Sequence, residues 1–130
     1  MTGPEVVVLD ASALLAWLFE ERGADVVESL LPAAVLSTVN LAEVRQKLDH
    51  RGVDADRTVR RLRLLGLRTA PFSDDDAARA AGLWQAGRRI GLSLADRCCL
   101  AVAGRLGVPA VTADRSWGGI DLPVEVRVLR

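Results

Sequence analysis

The 130-residue sequence has no excess of charge and no long apolar run. Its 17 basic side chains equal its 17 acidic ones, which argues against a protein that holds nucleic acid by a globally positive surface. No apolar run reaches the roughly 18 residues that a membrane span needs, and the opening MTGPEVVVLD lacks the basic and apolar regions of a signal peptide. We therefore expect a cytoplasmic protein with no membrane partner and a single domain over residues 1–130.

Several reactive residue types are scarce, and their scarcity excludes further kinds of site. The two cysteines, Cys98 and Cys99, are adjacent and lack the spacing of a zinc or redox motif, so buried free thiols are expected. The single histidine, His50, makes no metal site by itself. Lys47 is the only lysine, so the remaining basic residues are arginines, a bias that follows from a GC-rich genome and also suits phosphate contact.

Short β-rich runs alternate with longer helical patterns along the chain. Apolar runs predict strands at residues 6–9, 34–37, 67–70, 108–112 and 124–129. Amphipathic spacing, capping residues and terminal glycines predict helices at residues 11–21, 25–31, 40–51, 54–66, 73–89 and 93–107. Strands separated by helices imply an α/β fold, a three-layer α/β/α sandwich on a parallel sheet of about five strands.

Two helices of this pattern carry specific expectations. Asn40 is expected to cap the helix over residues 40–51, because its side chain can accept a hydrogen bond from the first turn. In the helix over residues 73–89, apolar residues recur at helical spacing and are expected to face the core. These residues are Ala77, Ala80, Ala81 and Trp84.

Four acidic residues lie where predicted strands end or predicted helices begin. Asp10 follows the first strand, and Asp114 follows the fourth, in the stretch VTADRSW. Glu43 and Asp96 lie in the first turns of two helices. Because ligands of an open parallel sheet bind beyond the carboxyl ends of its strands, one placement explains all four acids. Taken singly, each acid is also explained as a helix cap, a solvated first-turn carboxylate or a turn residue.

A cluster of carboxylates needs a cation, since like charges a few ångströms apart raise each other's pKa. Mg²⁺ and Mn²⁺ prefer oxygen ligands and bind beside substrate phosphates. Such an ion activates water and stabilises charge on the phosphate. The four acids therefore outline a site for phosphodiester hydrolysis with one or two Mg²⁺ or Mn²⁺ ions and no nucleophilic side chain.

The acids lie in three stretches of recognisable pattern: VVVLDASALLAW, STVNLAEV and GLSLADRCCLAVAGRLGVPAVTADRSW. In this order and spacing they resemble the PIN-domain ribonucleases, and among these the VapC-like toxins of bacterial type II toxin–antitoxin pairs, over essentially the whole chain. The family's acids map onto Asp10, Glu43, Asp96 and Asp114. Ser12 matches a small hydroxyl residue near the metal, and Thr112 matches a hydroxyl that supports the last acid.

The resemblance implies a metal-dependent endoribonuclease that acts as a toxin and hydrolyses RNA with a metal-activated water. Asp10 and Asp96 would bind the metal most directly. Glu43 would orient a metal-bound water or complete the metal's shell, and Asp114 would contact the ion through water. The resemblance also implies a cognate VapB-like antitoxin that covers the site, and a homodimer with the early helices at its interface.

Basic and aromatic residues near the predicted acidic edge are candidates for RNA contact. The candidates for phosphate binding are Arg88, Arg89, Arg97 and Arg115. Trp117, in a glycine-rich loop, is the tryptophan expected to stack on a base, whereas Trp17 and Trp84 fit core stripes. The arginine-rich stretch at residues 57–63 is explained at least as well by a solvated helix face.

Two other functions stay open at the level of sequence. A phosphoacceptor receiver domain has similar length and alternation, but it predicts a second acid beside Asp10 and a lysine after the last strand. Position 11 is Ala11, and Lys47 lies far from the last strand. A catalytically silent PIN domain that serves only as a binding partner fits the same pattern and would show no acid-dependent Mn²⁺ binding.

Overall fold

Five short strands form one parallel sheet in the computed structural model, which describes residues 5–119 and 121–130. The strands are β1 (Val7–Leu9), β2 (Ala34–Ser37), β3 (Arg68–Ala70), β4 (Ala110–Thr112) and β5 (Val126–Val128). Their order across the sheet is β3-β2-β1-β4-β5, and each neighbouring pair is parallel. Residues 1–4, part of the opening examined for a signal peptide, lie outside the described residues.

Helices connect successive strands, except that β5 follows a 3-10 turn and an irregular segment. They are α1 (Ala11–Leu18), α2 (Ala24–Leu30), α3 (Thr38–His50), α4 (Ala55–Leu64), α5 (Asp74–Gly82), α6 (Trp84–Gly87) and α7 (Leu94–Leu106). Short 3-10 turns lie at Leu31–Ala33, Arg88–Ile90 and Arg115–Gly119. No helix in the described ranges is both long and apolar enough to cross a membrane.

The central strand β1 is covered by helices on both faces. Successive strand residues point to opposite faces, so Val7 and Leu9 pack on one side and Val8 on the other. The first side holds the apolar residues of α1 to α4, and the second holds those of α7. All three strand residues are fully buried, as expected of a parallel sheet between two helical layers. The α/β/α sandwich predicted from the sequence is confirmed.

The order of the strands places a topological switch point beside β1. The chain builds β2 and β3 on one side of β1, and β4 and β5 on the other. In open α/β sheets, ligands bind at such a point, beyond the carboxyl ends of the strands. Receiver-type domains have the order 2-1-3-4-5. The observed order differs, so the receiver hypothesis is wrong.

Helix α3 begins earlier than the sequence pattern predicted. Its cap is Ser37, whose side chain accepts a hydrogen bond from the backbone N–H of Val39 at 3.2 Å. The helix starts at Thr38, so Asn40 lies inside it and the prediction that Asn40 caps the helix is wrong. The earlier start also moves Glu43 beyond the first turn.

The helix predicted over residues 73–89 is interrupted. Helix α5 ends at Gly82, and the short α6 and a 3-10 turn follow it. The buried residues of α5 are Asp76 and Ala80, whereas Ala77 and Ala81 of the same helix are exposed. Trp84 is 51% exposed, so its predicted place in the core stripe is wrong.

The buried Asp76 explains this shift in the buried face of α5. Arg105 of α7 donates from Nε to Asp76 Oδ1 at 2.8 Å, and the Ser73 N–H donates to Asp76 Oδ2 at 3.0 Å. A buried carboxylate is stable only with such partners. These partners allow an acid at a core position of α5, where the sequence pattern predicted only apolar residues.

Candidate active site

Asp10 lies directly after β1, and its local backbone makes it both a site residue and a helix cap. Its backbone is extended, and its carboxylate accepts a hydrogen bond from the Ala13 N–H at 2.8 Å, which caps α1. Thr112 Oγ1 donates to Asp10 Oδ2 at 2.6 Å, and Ser12 Oγ contacts both carboxylate oxygens at 2.8 and 2.9 Å. Only 3% of Asp10 is exposed.

Burial makes the charged form of Asp10 costly. Loss of water raises the pKa of Asp10 from its ordinary value of 3.8 to about 6, although the hydrogen bonds from Thr112, Ala13 and Ser12 oppose the rise. The negative charge of Asp96 adds to the rise. Protonation of Asp10, or binding of a cation beside it, would remove the cost of burying this charge.

Two hydroxyl groups link the ends of β1 and β4 around Asp10. Ser12 Oγ accepts a hydrogen bond from the Ala113 N–H at 3.0 Å, and Thr112 Oγ1 accepts one from the Asp114 N–H at 3.0 Å. The same two hydroxyls contact the Asp10 carboxylate. The structure therefore brings Ser12 and Thr112 beside the first and last acids of the predicted set.

Helix α7 places Asp96 through a capping box. The Asp96 N–H donates to Ser93 Oγ at 3.1 Å, and the Ser93 N–H donates to Asp96 Oδ2 at 2.8 Å. These reciprocal bonds fix the start of the helix and one carboxylate oxygen. The other oxygen, Oδ1, has no hydrogen-bond partner among residues 5–119 and 121–130.

Glu43 and Asp114 are held in the same way, by one oxygen each. Asn40 Nδ2 donates to Glu43 Oε1 at 2.8 Å. The Ser116 N–H and Ser116 Oγ donate to Asp114 Oδ1 at 2.9 and 2.7 Å, in the turn that follows β4. Each side chain keeps a second carboxylate oxygen without a protein partner in the described part of the chain.

All four acids line one cavity of about 200 Å³ at the switch point. Its lining is Asp10, Ala11, Ser12, Leu15, Glu43, Lys47, Asp96 and Asp114. The four predicted acids come from four separate segments, so the fold gathers them as the strand-end argument expected. Burial of Cys99 raises the pKa of its thiol, and both cysteines are free and buried, which confirms the prediction of buried free thiols.

The donor set fits a hydrated hard cation. Among residues 5–119 and 121–130, no group of three acids, histidines or cysteines encloses a metal position by direct contact. Mg²⁺ keeps several of its waters and is bound through one or two carboxylates, so an open cavity with free carboxylate oxygens suits it better than a closed cage. Burial raises the pKa of Asp10 to about 6, and a cation bound beside its carboxylate would favour the charged form.

The residues predicted to contact RNA do not line this cavity. Arg97 donates from Nη1 to the Ala80 carbonyl of α5 at 2.9 Å, so it joins α7 to α5. Arg115 donates from Nε to the Arg130 carbonyl at 2.9 Å. Arg88 and Arg89 are exposed, and the Arg88 guanidinium lies 5.0 Å from the Trp84 ring centre.

The prediction that Trp117 stacks on a base is wrong for this structure. Trp117 is 1% exposed and packs in the core on the α7 side of the sheet, with Val8 and Leu100. A 3-10 turn at Arg115–Gly119 folds the side chain inward. A buried ring offers no face to a base, whereas Trp84, the first residue of α6, is exposed.

Sequence reasoning missed two polar residues of the site, Asn40 and Lys47. Asn40 is buried and bonds Glu43, and Lys47 lines the acidic cavity. Residues three and four apart share a helix face, so the spacing of positions 40, 43 and 47 was the available signal. Because Asn40 was interpreted as the helix cap, this shared helix face was not recognised.

The chain belongs to the PIN domain family, whose model matches residues 7–121. Among solved structures, it is similar to a toxin–antitoxin complex from Klebsiella pneumoniae, with 23% identity, a TM-score of 0.75, and coverage of 95% of this chain and 98% of that chain. It is also similar to FitAcB from Neisseria gonorrhoeae, with 22% identity, a TM-score of 0.70, and coverage of 95% and 97%.

A third similar structure is Mycobacterium tuberculosis VapC20, a toxin that cleaves the sarcin–ricin loop. It has 21% identity, a TM-score of 0.68, and coverage of 88% of this chain and 96% of that chain. A comparison with curated proteins found no significant match. The recognised family and the three-layer fold therefore agree with the resemblance drawn from the sequence motifs.

Proposed function

We propose that this protein is a metal-dependent endoribonuclease that acts as the toxin of a bacterial toxin–antitoxin pair. The observation that carries the proposal is the convergence of Asp10, Glu43, Asp96 and Asp114 on one cavity at the switch point of a PIN domain sheet. Carboxylates gathered in one cavity repel each other, and a divalent cation would offset that repulsion. The similar VapC20 cleaves RNA in the sarcin–ricin loop, which supports RNA as the substrate.

A bound Mg²⁺ or Mn²⁺ ion would supply Lewis-acid activation of water and charge neutralisation at the phosphate. Asp10 and Asp96 would hold the ion most directly, Glu43 would complete its shell, and Asp114 would act through water. The protein's part is rigidity: three hydrogen-bond donors fix Asp10, and a capping box fixes Asp96. Lys47, at the same cavity, would attract the RNA phosphate.

The proposal includes two protein partners. A cognate VapB-like antitoxin would cover the acidic cavity, as suggested by the similar toxin–antitoxin complex from Klebsiella pneumoniae. A homodimer would use α1 and α2, beside which a groove of about 460 Å³ has both apolar and acidic lining. The pair would act in the bacterial cytoplasm.

Expression in a bacterial host without an antitoxin tests the proposed function. Induction of the wild type should arrest growth, while Asp10→Asn and Asp96→Asn should not, because each variant removes a carboxylate from the cavity. With purified protein and RNA, Mn²⁺ should support cleavage and EDTA should abolish it. Each variant should lose about 100-fold or more in rate, above the range for residues outside the metal's direct ligands.

The matched control is Asp75→Asn, which changes an exposed acid of α5 outside the cavity and should leave growth arrest intact. Equal toxicity of the wild type and both cavity variants would contradict the metal–acid mechanism. A wild type that neither arrests growth nor binds Mn²⁺ would instead favour the silent binding domain.

A further inference from the structure

Asn40 is a polar side chain buried between the two helices that carry Glu43 and Asp96. It is 1% exposed. Its Nδ2 group donates to Glu43 Oε1 at 2.8 Å and to the Ala95 carbonyl at 3.2 Å. Both partners are acceptors, so they require the amide nitrogen on this side and fix the orientation of the side chain.

The two bonds join different parts of the site. Glu43 belongs to α3, whereas Ala95 immediately precedes Asp96 in the first turn of α7. One side chain therefore ties the carboxylate of one cavity acid to the backbone beside another. The bond to Oε1 also holds the Glu43 side chain in one arrangement and leaves Oε2 without a partner in the described residues.

The other side of the amide is not satisfied. Asn40 Oδ1 is buried and has no hydrogen-bond partner among the described residues. Buried polar atoms without partners are rare and costly, so an apolar residue of the same size would serve packing better. The two hydrogen bonds that Asn40 does make lead to the cavity acid Glu43 and to the residue before the cavity acid Asp96.

We propose that Asn40 is a positioning residue that aligns Glu43 with Asp96 for cation binding. This inference rests on the proposed function, because it requires the acidic cavity to hold a divalent ion. Asn40 itself touches neither the ion nor the RNA. It acts through Glu43 and through the start of α7, as outer partners of metal ligands do.

Calorimetric titration with Mn²⁺ tests the proposal through a double-mutant cycle. Asn40→Leu keeps the branching and the number of side-chain heavy atoms and removes both donors, and Asn40→Ala serves as the second variant if Asn40→Leu does not fold. Either variant should weaken Mn²⁺ binding by about 10-fold. In a Glu43→Ala background the same change should have little further effect, because the carboxylate that Asn40 aligns is gone.

Thermal unfolding of the metal-free proteins separates positioning from damage to the fold. Asn40→Leu should melt near the wild-type temperature, since removal of the unpartnered Oδ1 offsets the loss of the two hydrogen bonds, and should still bind Mn²⁺ more weakly. Full Mn²⁺ affinity in both Asn40 variants, or an equal loss with and without Glu43, would overturn the inference. If Glu43→Ala lowers affinity while the Asn40 variants do not, the metal site stands and the positioning role fails. No Mn²⁺ binding by the wild type would overturn both.

Discussion

At the scale of single residues, Asp10 shows a conflict between stability and chemistry. The position after a fully buried strand is the one that reaches the switch point, and it is also the one that removes water from the carboxylate. The hydroxyls of Ser12 and Thr112 offset part of the cost. Active sites commonly keep such destabilising groups because function requires them.

Asp10→Asn is therefore expected to stabilise the metal-free protein at pH 7.5. The pKa of Asp10 is raised in the folded chain, so its contribution to stability is complete below pH 3.8 and is lost as the pH rises through about 6. Each unit of this pKa difference lowers the free energy of unfolding of the ionised protein by about 1.4 kcal/mol. The neutral amide of Asp10→Asn avoids this loss, so the variant should gain up to about 3 kcal/mol. Urea unfolding in EDTA at pH 7.5 and at pH 3.5 measures the gain, which should vanish at the lower pH.

Asp114→Asn is the control, because Asp114 lines the same cavity but is exposed, and it should change stability little. Saturating Mn²⁺ at pH 7.5 should stabilise the wild type and leave Asp10→Asn almost unchanged. Equal unfolding free energies of the metal-free wild type and Asp10→Asn at pH 7.5 would refute this account of Asp10.

At the scale of elements, strand ends were predictable and helix faces were less so. Asp10 and Asp114 could be placed because Asp10 directly follows the apolar strand β1 and Asp114 lies two residues after β4. The buried face of α5 could not be predicted, because the sequence pattern alone treats Asp76 as exposed. In the structure, Arg105 of α7, 29 residues later in the chain, bonds to Asp76 and allows its burial. The same limit applies to Trp117, whose burial depends on a turn and on packing against a distant helix.

Two glycines near the break between α5 and α6, Gly82 and Gly87, should respond in opposite ways to substitution by alanine. A Cβ at Gly82 meets open space, whereas a Cβ at Gly87 would lie 2.9 Å from Leu92 Cδ1 and 3.0 Å from Leu92 Cβ. Gly82→Ala should stabilise the protein by about 0.5–1 kcal/mol through helix propensity. Gly87→Ala should destabilise it by about 1–3 kcal/mol through overpacking.

Urea unfolding of both variants checks the sign of each change. Leu92 is followed by Ser93, which caps α7, so Gly87→Ala should also weaken Mn²⁺ binding at Asp96, while Gly82→Ala should not. Destabilisation by Gly82→Ala would show that the helix break is required rather than tolerated.

At the scale of the whole molecule, the zero net charge conceals an uneven distribution. The acidic and basic totals are equal, but four of the acids line a single cavity, so basic groups outnumber acids over the rest of the chain. The one lysine, Lys47, lies at that cavity, and none of the ion pairs found in residues 5–119 and 121–130 includes it. We therefore expect weak, local attraction for RNA rather than a broad basic surface.

Lys47→Met tests this arrangement, since it keeps the apolar stem and removes the charge. The Asp10→Asn background prevents cleavage, so RNA affinity can be measured by fluorescence anisotropy. In this background Lys47→Met should weaken RNA binding and reduce the slope of log affinity against log salt concentration by about 1, as expected for one lost phosphate contact. With Asp10 intact, Mn²⁺ affinity should rise, because a positive charge is removed from the cavity. Arg63→Met, an exposed change on α4 outside the cavity, should have the smaller effect on RNA. Weaker binding of both Mn²⁺ and RNA by Lys47→Met would point to local misfolding and contradict the assignment.

The hydroxyl link around Asp10 also has a consequence for synthesis of the chain. Ser12 and Thr112, which both donate hydrogen bonds to the Asp10 carboxylate, are 100 positions apart in sequence. During translation, the ribosome releases Asp10 long before β4 exists to complete the sheet beside it. A growing or prematurely ended chain that lacks β4 has neither the Thr112 donor nor Asp114, so the four-acid cavity cannot assemble. Under the proposed function, the order of the strands would therefore delay RNA cleavage until most of the chain has been made.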